Sequence, residues 1–264
     1  MAGDNDSLFA GDFPEALKRI RERTPARIFV GRAGAAYRTS TQMELREAHA
    51  AAQDAVRAEL DLESAFGAEF LEQWDLFEVC TDARSKQEYL LRPDRGRRFN
   101  DASRQEIADR CSRGSDIQIA IGDGLSVTAV CRQVPSLLPL LNDGARARGW
   151  KVGDPFVIRH CRVGILNEIG ELLAPKVAVL LIGERPGLAT AESLSAYMAY
   201  EPRMAHTDAN RNLISNIHSR GLNPNVAADR ILNLAEQMMR SRISGFSLRE
   251  QLPPTCSDTP AIRG

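Results

Sequence analysis

Short apolar runs, bounded by glycine, proline or charged residues, recur through the second half of the chain. The clearest cover residues 116–121, 156–160 and 177–182, and residues 165–173 between the last two have the pattern of a short helix. Six successive apolar residues at 177–182 are typical of a strand buried on both faces of a largely parallel sheet. This alternation predicts a parallel sheet with crossover helices.

Three further segments repeat apolar residues at the period of an α-helix. Residues 41–60 follow that period, and the spacing of Thr41 and Glu44 matches a capping box, so a helix is predicted to begin there. Residues 101–111 and 226–242 are also predicted to be helical, with Asn225 capping the last helix. Residues 192–196 are predicted to form a helical turn and residues 208–218 a polar loop.

These patterns predict two structural units flanked by less ordered ends. Residues 1–24 are expected to form a flexible N-terminal arm and residues 25–100 a small mainly helical domain. Residues 101–250 are expected to form an α/β domain with a flavodoxin- or Rossmann-like parallel sheet, and residues 251–264 a disordered tail. The predicted fold class is therefore α/β, with the helical domain preceding the sheet.

The loops that follow the predicted strands are the candidate ligand site, because ligands of open α/β sheets bind outside the carboxyl ends of the strands. These loops are residues 122–126, 161–164 and 183–187. The first resembles a dinucleotide loop, but Val127 stands where the third glycine should be. Asp123 and Ser126 are therefore predicted to form a tight turn and a helix cap first, and ligand contacts second. A stand-alone phosphate- or nucleotide-binding module stays open as the alternative function.

Composition narrows the partners. The chain has 264 residues, with 34 Lys+Arg against 35 Asp+Glu and a net charge of −1, which argues against nucleic acid as a partner. It contains no apolar run of the roughly 18 residues that span a bilayer and no secretory signal, so no membrane association and a soluble intracellular protein are expected. The five cysteines include no Cys-x-x-Cys pair and are expected to be reduced and mostly buried.

Two charged segments could carry binding chemistry. Four arginines within residues 92–98 could bind an anion or an acidic partner, or form a solvated loop. The Asn216-x-His218-x-x-Gly221 segment differs from the Asp-x-His-x-x-Gly motif of base-off cobalamin proteins at its first residue, so cobalt ligation by His218 is not predicted. Familiar catalytic motifs, such as a nucleophile elbow or a zinc helix, are absent from the sequence, and neither catalytic nor metal-binding residues are predicted.

Several motifs in order resemble the small (light) subunit of ethanolamine ammonia-lyase. The resemblance extends from about Pro25 to Gly245. Its clearest pieces are Arg-Pro-Asp-Arg-Gly-Arg-Arg at 92–98, Asp-Gly-Leu-Ser at 123–126, Leu-Ile-Gly-Glu-Arg-Pro-Gly-Leu at 181–188, Tyr-x-Pro-Arg at 200–203 and Arg-x-x-Ile-Ser-Asn-Ile at 211–217.

The resemblance implies a hetero-oligomer with a large subunit that converts ethanolamine to acetaldehyde and ammonia by adenosylcobalamin-dependent radical chemistry. The large subunit performs the reaction, and the light chain helps to bind the cobalamin. The family's cobalamin contacts fall on Val163, Glu184 and Leu213. Relatives often carry cysteine at the Leu213 position, so a main-chain or apolar contact is expected there. The cytoplasm is the expected location, with a bacterial microcompartment as the alternative.

Overall fold

A six-stranded sheet lies at the centre of the molecule. The computed structural model describes residues 13–23, 30 and 32–251. The sheet has the order β3-β5-β4-β6-β7-β8, in which the first four strands are parallel and the last two are added antiparallel. Its strands are β3 (Glu78–Cys80), β4 (Ile117–Gly122), β5 (Phe156–Arg159), β6 (Val177–Gly183), β7 (Leu194–Tyr200) and β8 (Asn212–Ile217). A small hairpin, β1 (Arg32–Ala33) and β2 (Ala36–Tyr37), precedes it.

Helices connect and cover these strands. In chain order they are α1 (Phe13–Arg23), α2 (Thr39–Arg57), α3 (Leu62–Phe66), α4 (Ala68–Trp74), α5 (Lys86–Leu91), α6 (Asp101–Arg110), α7 (Val127–Ala147), α8 (Leu166–Leu173) and α9 (Pro224–Ser241). The α/β class with a mainly parallel sheet is confirmed. The consecutive strands β4, β5 and β6 lie in the order β5-β4-β6, which is the arrangement at the start of flavodoxin-like sheets.

The core has two layers, one on each face of the sheet. Every residue of β4 and β6 is buried, as expected for strands covered on both faces. Ile119 and Val179 pack toward α7 and α9, whereas Ala120 and Leu180 pack with α6 and α8. Successive side chains of a strand point to opposite faces of the sheet. The continuous apolar run of β6 therefore contributes alternate residues to the two core layers.

The structure corrects two predictions in the region after β6. The helical turn predicted at residues 192–196 is wrong, because β7 begins at Leu194 and pairs with β6. The polar loop predicted at residues 208–218 is also wrong over its second half, where β8 forms the sheet edge. Edge strands are solvated on one side, and the exposed polar residues of β8 conceal a strand in which only Ile214 and Ile217 are buried.

The long helices lie close to their predicted positions, but their N-caps differ. The helix predicted at 41–60 spans Thr39–Arg57, with Arg38 as N-cap and no side-chain cap, so the capping box at Thr41 is wrong. Thr41 lies inside this helix and is buried. The last helix is capped by Asn223, whose side chain accepts from the backbone N–H of Asn225. Each observed start lies about two residues before the predicted one, which is the usual uncertainty of helix ends.

The predicted domain limits stay predictions. Residues 13–23 of the expected arm form α1, while residues 1–12 and most of the expected 251–264 tail lie outside the described residues. Within the range 25–100, β3 pairs in parallel with β5 and so belongs to the central sheet. None of the helices in the described part of the chain is long and apolar enough to cross a membrane.

Gly183 offers a direct test of how closely the strand ends approach. A Cβ added at Gly183 would overlap the carbonyl oxygen of Ser126 and lie 2.8 Å from that of Asp123, and both are rigid backbone atoms. We expect Gly183→Ala to lower the free energy of unfolding by about 1–3 kcal/mol, the usual cost of overpacking.

Gly187→Ala is the matched control in urea unfolding experiments. Its Cβ would meet nothing closer than the backbone nitrogen of Ala189 at 4.0 Å, so its free energy of unfolding should stay within about 0.5 kcal/mol of the wild type. Equal effects of the two substitutions would show that this backbone contact does not limit the packing.

Candidate ligand site at the sheet switch point

A cavity of about 450 Å³ opens where the parallel strands reverse their order, outside the carboxyl ends of β4, β5 and β6. Gly124 follows β4, Val163 follows β5 and Glu184 follows β6, and all three line it together with Leu213 of β8. We call it the switch-point cavity. Strand order reverses between β4 and β6, which is where open α/β sheets usually bind ligands.

The structure brings the three predicted cofactor-binding residues into this one cavity. Val163 begins a 3-10 turn, Val163–Ile165, and its side chain is half-buried. Glu184 is half-buried immediately beyond β6, and Leu213 is 46% exposed although it is a large apolar residue. The ends of β5 and β6, which lie on either side of β4, place Val163 and Glu184 at the same edge of the sheet, and pairing of β8 with β7 brings in Leu213.

Glu184 is held by one of its two carboxylate oxygens. The hydroxyl of Ser195 donates to Oε1 at 2.7 Å, and the backbone N–H of Asn216 donates to the same atom at 2.8 Å. Oε2 accepts no hydrogen bond from any residue in the described part of the chain. Glu184 therefore has a fixed position and a free acceptor.

A β-bulge supplies one of these donors. Leu194 pairs with Ile217 and Ala196 with Ile214, so two steps along β7 match three steps along β8. Asn216 lies in the extra length with a left-handed φ of 61°, and its N–H points to Glu184. Bulges commonly redirect backbone groups beside functional sites.

The loop after β4 forms the floor of the cavity through main-chain contacts. Asp123, which is fully buried, accepts from the backbone N–H of His160 at 3.0 Å and of Cys161 at 2.8 Å. The ammonium group of Lys86 lies 3.5 Å from the same carboxylate. Asp123 therefore joins the ends of β4 and β5 and does not face a ligand.

Ser126 acts as the helix cap that the sequence predicted, because its hydroxyl accepts from the backbone N–H of Ala129 at 3.2 Å. The N–H of Leu125 donates to the carbonyl of Gly183 at 3.1 Å. Since this amide is already engaged and Gly124 lies directly against Gly183, the loop lacks the open amide cradle of a phosphate-binding loop.

The arginine segment supports the turn that carries Val163. Gly164 packs against the side chain of Arg97, and the N–H of Arg162 donates to the carbonyl of Gly96 at 2.8 Å. Within the segment, Arg95 forms an ion pair with Glu88 at 2.9 Å. An anion- or partner-binding role for residues 92–98 stays a prediction, and their structural role is to brace the second strand end.

Sequence reasoning missed other residues of the site. Ser195 lies in the part of β7 that was predicted to be a helical turn, and Tyr197 follows that part and was assigned no element. Arg162 and Arg185 were treated only as parts of the loops that shape the site. The apolar residues Leu194, Ala196 and Met198, which are spaced two apart and pack into one core, are the signal that could have identified β7.

One further cavity adjoins the switch-point cavity, and another lies nearer the outer edge of the sheet. The second cavity, about 470 Å³, lies between α2 and the loop after β6 and shares Leu125, Arg162 and Arg185 with the first. A larger outer cleft of about 1020 Å³ lies outside β3 and β5 and includes Arg159 and His160. In this cleft Arg159 pairs with Glu78 at 2.9 Å, and Nε2 of His160 lies 3.3 Å from the carboxylate of Glu59.

The thiol and phenol groups around the cavity are held in their protonated, uncharged forms. Burial raises the pKa of the Cys161 thiol well above its usual value, and it also raises the pKa of Tyr89. The pKa of Tyr197 is raised mainly by burial and to a smaller extent by the carboxylate of Glu184. The cavity therefore offers a polar lining without an activated nucleophile.

His218 has a structural role in this arrangement. Its Nε2 donates to the side-chain oxygen of Asn216 at 2.8 Å, and its Nδ1 accepts from the backbone N–H of Arg220 at 3.3 Å. Both ring nitrogens are thus engaged. Within the described residues, no group of three or more His, Cys, Asp or Glu side chains could hold a metal ion.

The titration of His218 should contribute to the pH dependence of stability. Burial holds the pKa of His218 below its ordinary value of 6.5, with Arg220 as a smaller cause. The unfolded chain therefore binds this proton at a higher pH than the folded chain, so the free energy of unfolding should fall as pH decreases through about 6.5. In urea titrations between pH 7 and 5, His218→Gln should show a shallower decline than the wild type. Identical slopes would contradict this assignment.

Comparisons with known proteins agree with the motifs of the chain. The family model described as "Ethanolamine ammonia-lyase light chain (EutC)" matches residues 14–249. The chain is 39% identical over 235 residues to the ethanolamine ammonia-lyase small subunit of Clostridium acetobutylicum, covering 89% of this chain and 95% of the relative. The corresponding subunits of Clostridium perfringens and Pseudomonas syringae pv. tomato are also 39% identical, covering 89% and 88% of this chain and 78% and 82% of the relatives.

Each of these matches spans most of both chains and includes the three strand ends that form the switch-point cavity. The chain belongs to the ethanolamine ammonia-lyase light-chain family.

Proposed function

We propose that this chain is the light subunit of an adenosylcobalamin-dependent ethanolamine ammonia-lyase and that its switch-point cavity holds part of the cobalamin. The observation that carries the proposal is the convergence of Val163, Glu184 and Leu213 on one cavity, with Oε2 of Glu184 free to accept. These residues are distant in sequence, and family membership alone does not require them to meet.

The residues of the cavity suit a corrinoid. Its peripheral amide groups are hydrogen-bond donors, and Oε2 of Glu184 is an acceptor held in place by Ser195 and Asn216. Leu213 and Val163 offer apolar contact to the ring edge. Contact with a corrinoid would therefore explain why Leu213 is exposed beside the fixed carboxylate of Glu184, which packing within this chain does not explain.

The size of the cavity supports a shared site. Its volume of about 450 Å³ falls within the roughly 300–1,000 Å³ range of pockets that enclose drug-sized ligands. A corrinoid with its nucleotide tail is much larger than such ligands, so this chain would cover only one side of the cofactor. The remaining surface would be enclosed by the large subunit.

The chemistry would then be divided between the chains. Bound adenosylcobalamin supplies a radical by homolysis of its cobalt–carbon bond. The residues described here would bind and orient the cofactor and exclude water from it. They would not react with it, because Cys161 and Tyr197 are kept protonated and Glu184 is engaged in hydrogen bonds. Turnover of ethanolamine to acetaldehyde and ammonia would take place on the large subunit. We assign the complex to the cytoplasm as part of the same proposal.

Reconstitution tests the subunit role directly. Co-expression with a large subunit of the family should give a stable hetero-oligomer that releases ammonia from ethanolamine when adenosylcobalamin is added. Size-exclusion chromatography would measure assembly, and an ammonia assay would measure turnover. Failure to assemble with large subunits from several relatives, together with no ammonia release, would contradict the proposed function.

Glu184→Gln tests the cofactor contact within that complex. The substitution keeps an oxygen for Ser195 and Asn216 but replaces the free acceptor with an NH₂ group, which would oppose the corrin amide donors. Loss of a hydrogen bond to a charged group costs about 1.5–3 kcal/mol, so the Kd for adenosylcobalamin should rise about 10- to 150-fold.

Glu236→Gln on α9 is the matched control, because its exposed side chain lies 4.0 Å from Arg148 and outside the cavity. Equilibrium dialysis should give wild-type affinity for this control, and both variants should show wild-type thermal unfolding. An unchanged Kd for Glu184→Gln would remove Glu184 from the site.

A further inference from the structure

Two arginines lie where the switch-point cavity meets the second cavity. Arg162 follows β5 and Arg185 follows β6, and both line both cavities. They therefore bracket the passage between the two cavities. The proposed corrin contacts involve neither side chain.

Arg162 is held in place, but none of the carboxylates in the described part of the chain forms an ion pair with it. Its guanidinium carbon lies 4.3 Å from the centre of the Tyr89 ring, and Nη2 donates to the carbonyl of Tyr89 at 3.4 Å. Its Nε atom is buried and has no hydrogen-bond partner among the described residues. A buried charged group of this kind is costly unless another group completes its hydrogen bonds.

Arg185 is exposed at the rim and likewise forms no ion pair with any carboxylate in the described part of the chain. Glu184 is the only carboxylate among the described residues that line the two cavities, and Arg57 adds a third guanidinium in the second. The passage therefore has an excess of positive charge. An anionic group with several acceptor oxygens would match it, since guanidinium groups bind such anions through two parallel N–H donors.

We propose that Arg162 and Arg185 bind the anionic phosphodiester in the nucleotide tail of the cobalamin. This inference rests on the proposed function and assigns a second subsite to the same ligand. Glu184 accepts from the neutral amide side chains of the corrin, and the arginines bind the negatively charged link of the tail. Opposite charges on the protein thus fix the orientation of the ligand as well as its affinity.

A pair of corrinoids isolates the phosphodiester. Adenosylcobalamin contains it, whereas adenosylcobinamide keeps the corrin and the adenosyl group but lacks the phosphate and nucleotide. Arg162→Met, Arg185→Met and the double variant would be prepared in the complex with the large subunit. Methionine keeps much of the apolar stem of arginine, which preserves the contact of Arg162 with Gly96.

Equilibrium dialysis should show a Kd for adenosylcobalamin that rises about 10-fold or more in each single variant, as expected for a lost charge-assisted hydrogen bond. The Kd for adenosylcobinamide should stay within about twofold of the wild type. Arg146→Met is the matched control, because Arg146 lies in the last turn of α7, about 30 Å along the helix from Ser126 at its start. It should bind both corrinoids normally.

Three results would overturn the proposal. Equal weakening of both corrinoids would show that the arginines only shape the cavity, and unchanged binding of both would exclude them from the site. Loss of subunit assembly would show that they pair with the large subunit instead. Failure of the wild-type complex to bind either corrinoid is distinguishable from these results, because it removes the proposed function itself.

Discussion

The buried carboxylate of Asp123 is the contact on which the arrangement of the strand ends depends. It accepts two backbone N–H groups from the end of β5 and lies beside the ammonium of Lys86 at the start of α5. Removing a buried carboxylate from such a set would leave an ammonium group and two amides without their partner, and each has a desolvation cost. The residue that resembles a nucleotide contact in the sequence therefore determines where Val163 lies relative to Glu184. The positions of the binding residues that follow Asp123 in the chain therefore depend on its hydrogen bonds.

In this site the main chain sets the shape of the cavity, and side chains recognise the ligand. Main-chain groups form the floor, where Gly124 and Gly183 meet without intervening side chains. Recognition is left to side chains at the rim, with one carboxylate oxygen free on Glu184 and guanidinium groups at the junction of the two cavities. A lining of this kind suits a large polar ligand that must be held in one orientation while another chain reacts with it. It also explains why familiar catalytic motifs are absent from the sequence of a lyase subunit.

Sequence reasoning was most accurate where local pattern and burial agree. Val177–Gly183 was predictable because a strand covered on both faces needs apolar residues at every position. The edge strand β8 was not, because four of its six residues are not fully buried and its polar side chains imitate a loop. Glu184 was located from its place after a strand and from family resemblance. The role inferred for Arg162 depends on its buried Nε having no hydrogen-bond partner among the described residues, and the sequence alone cannot show this because it is a property of the folded surroundings.

The bulge in β8 restricts the insertions and deletions that this chain can accept in that strand. In a regular strand, residues 213, 215 and 217 would share one face, because side chains alternate with a period of two. With the extra residue at Asn216, Leu213 and Ser215 line the cavity, while Ile217 turns back to the core face of Ile214. Deleting Asn216 would leave a regular strand in which Ile217 still lies on the core face, but it would remove the backbone N–H that donates to Glu184. In this chain the side chains that line the cavity here can therefore change more readily than the number of residues between Leu213 and Ile217.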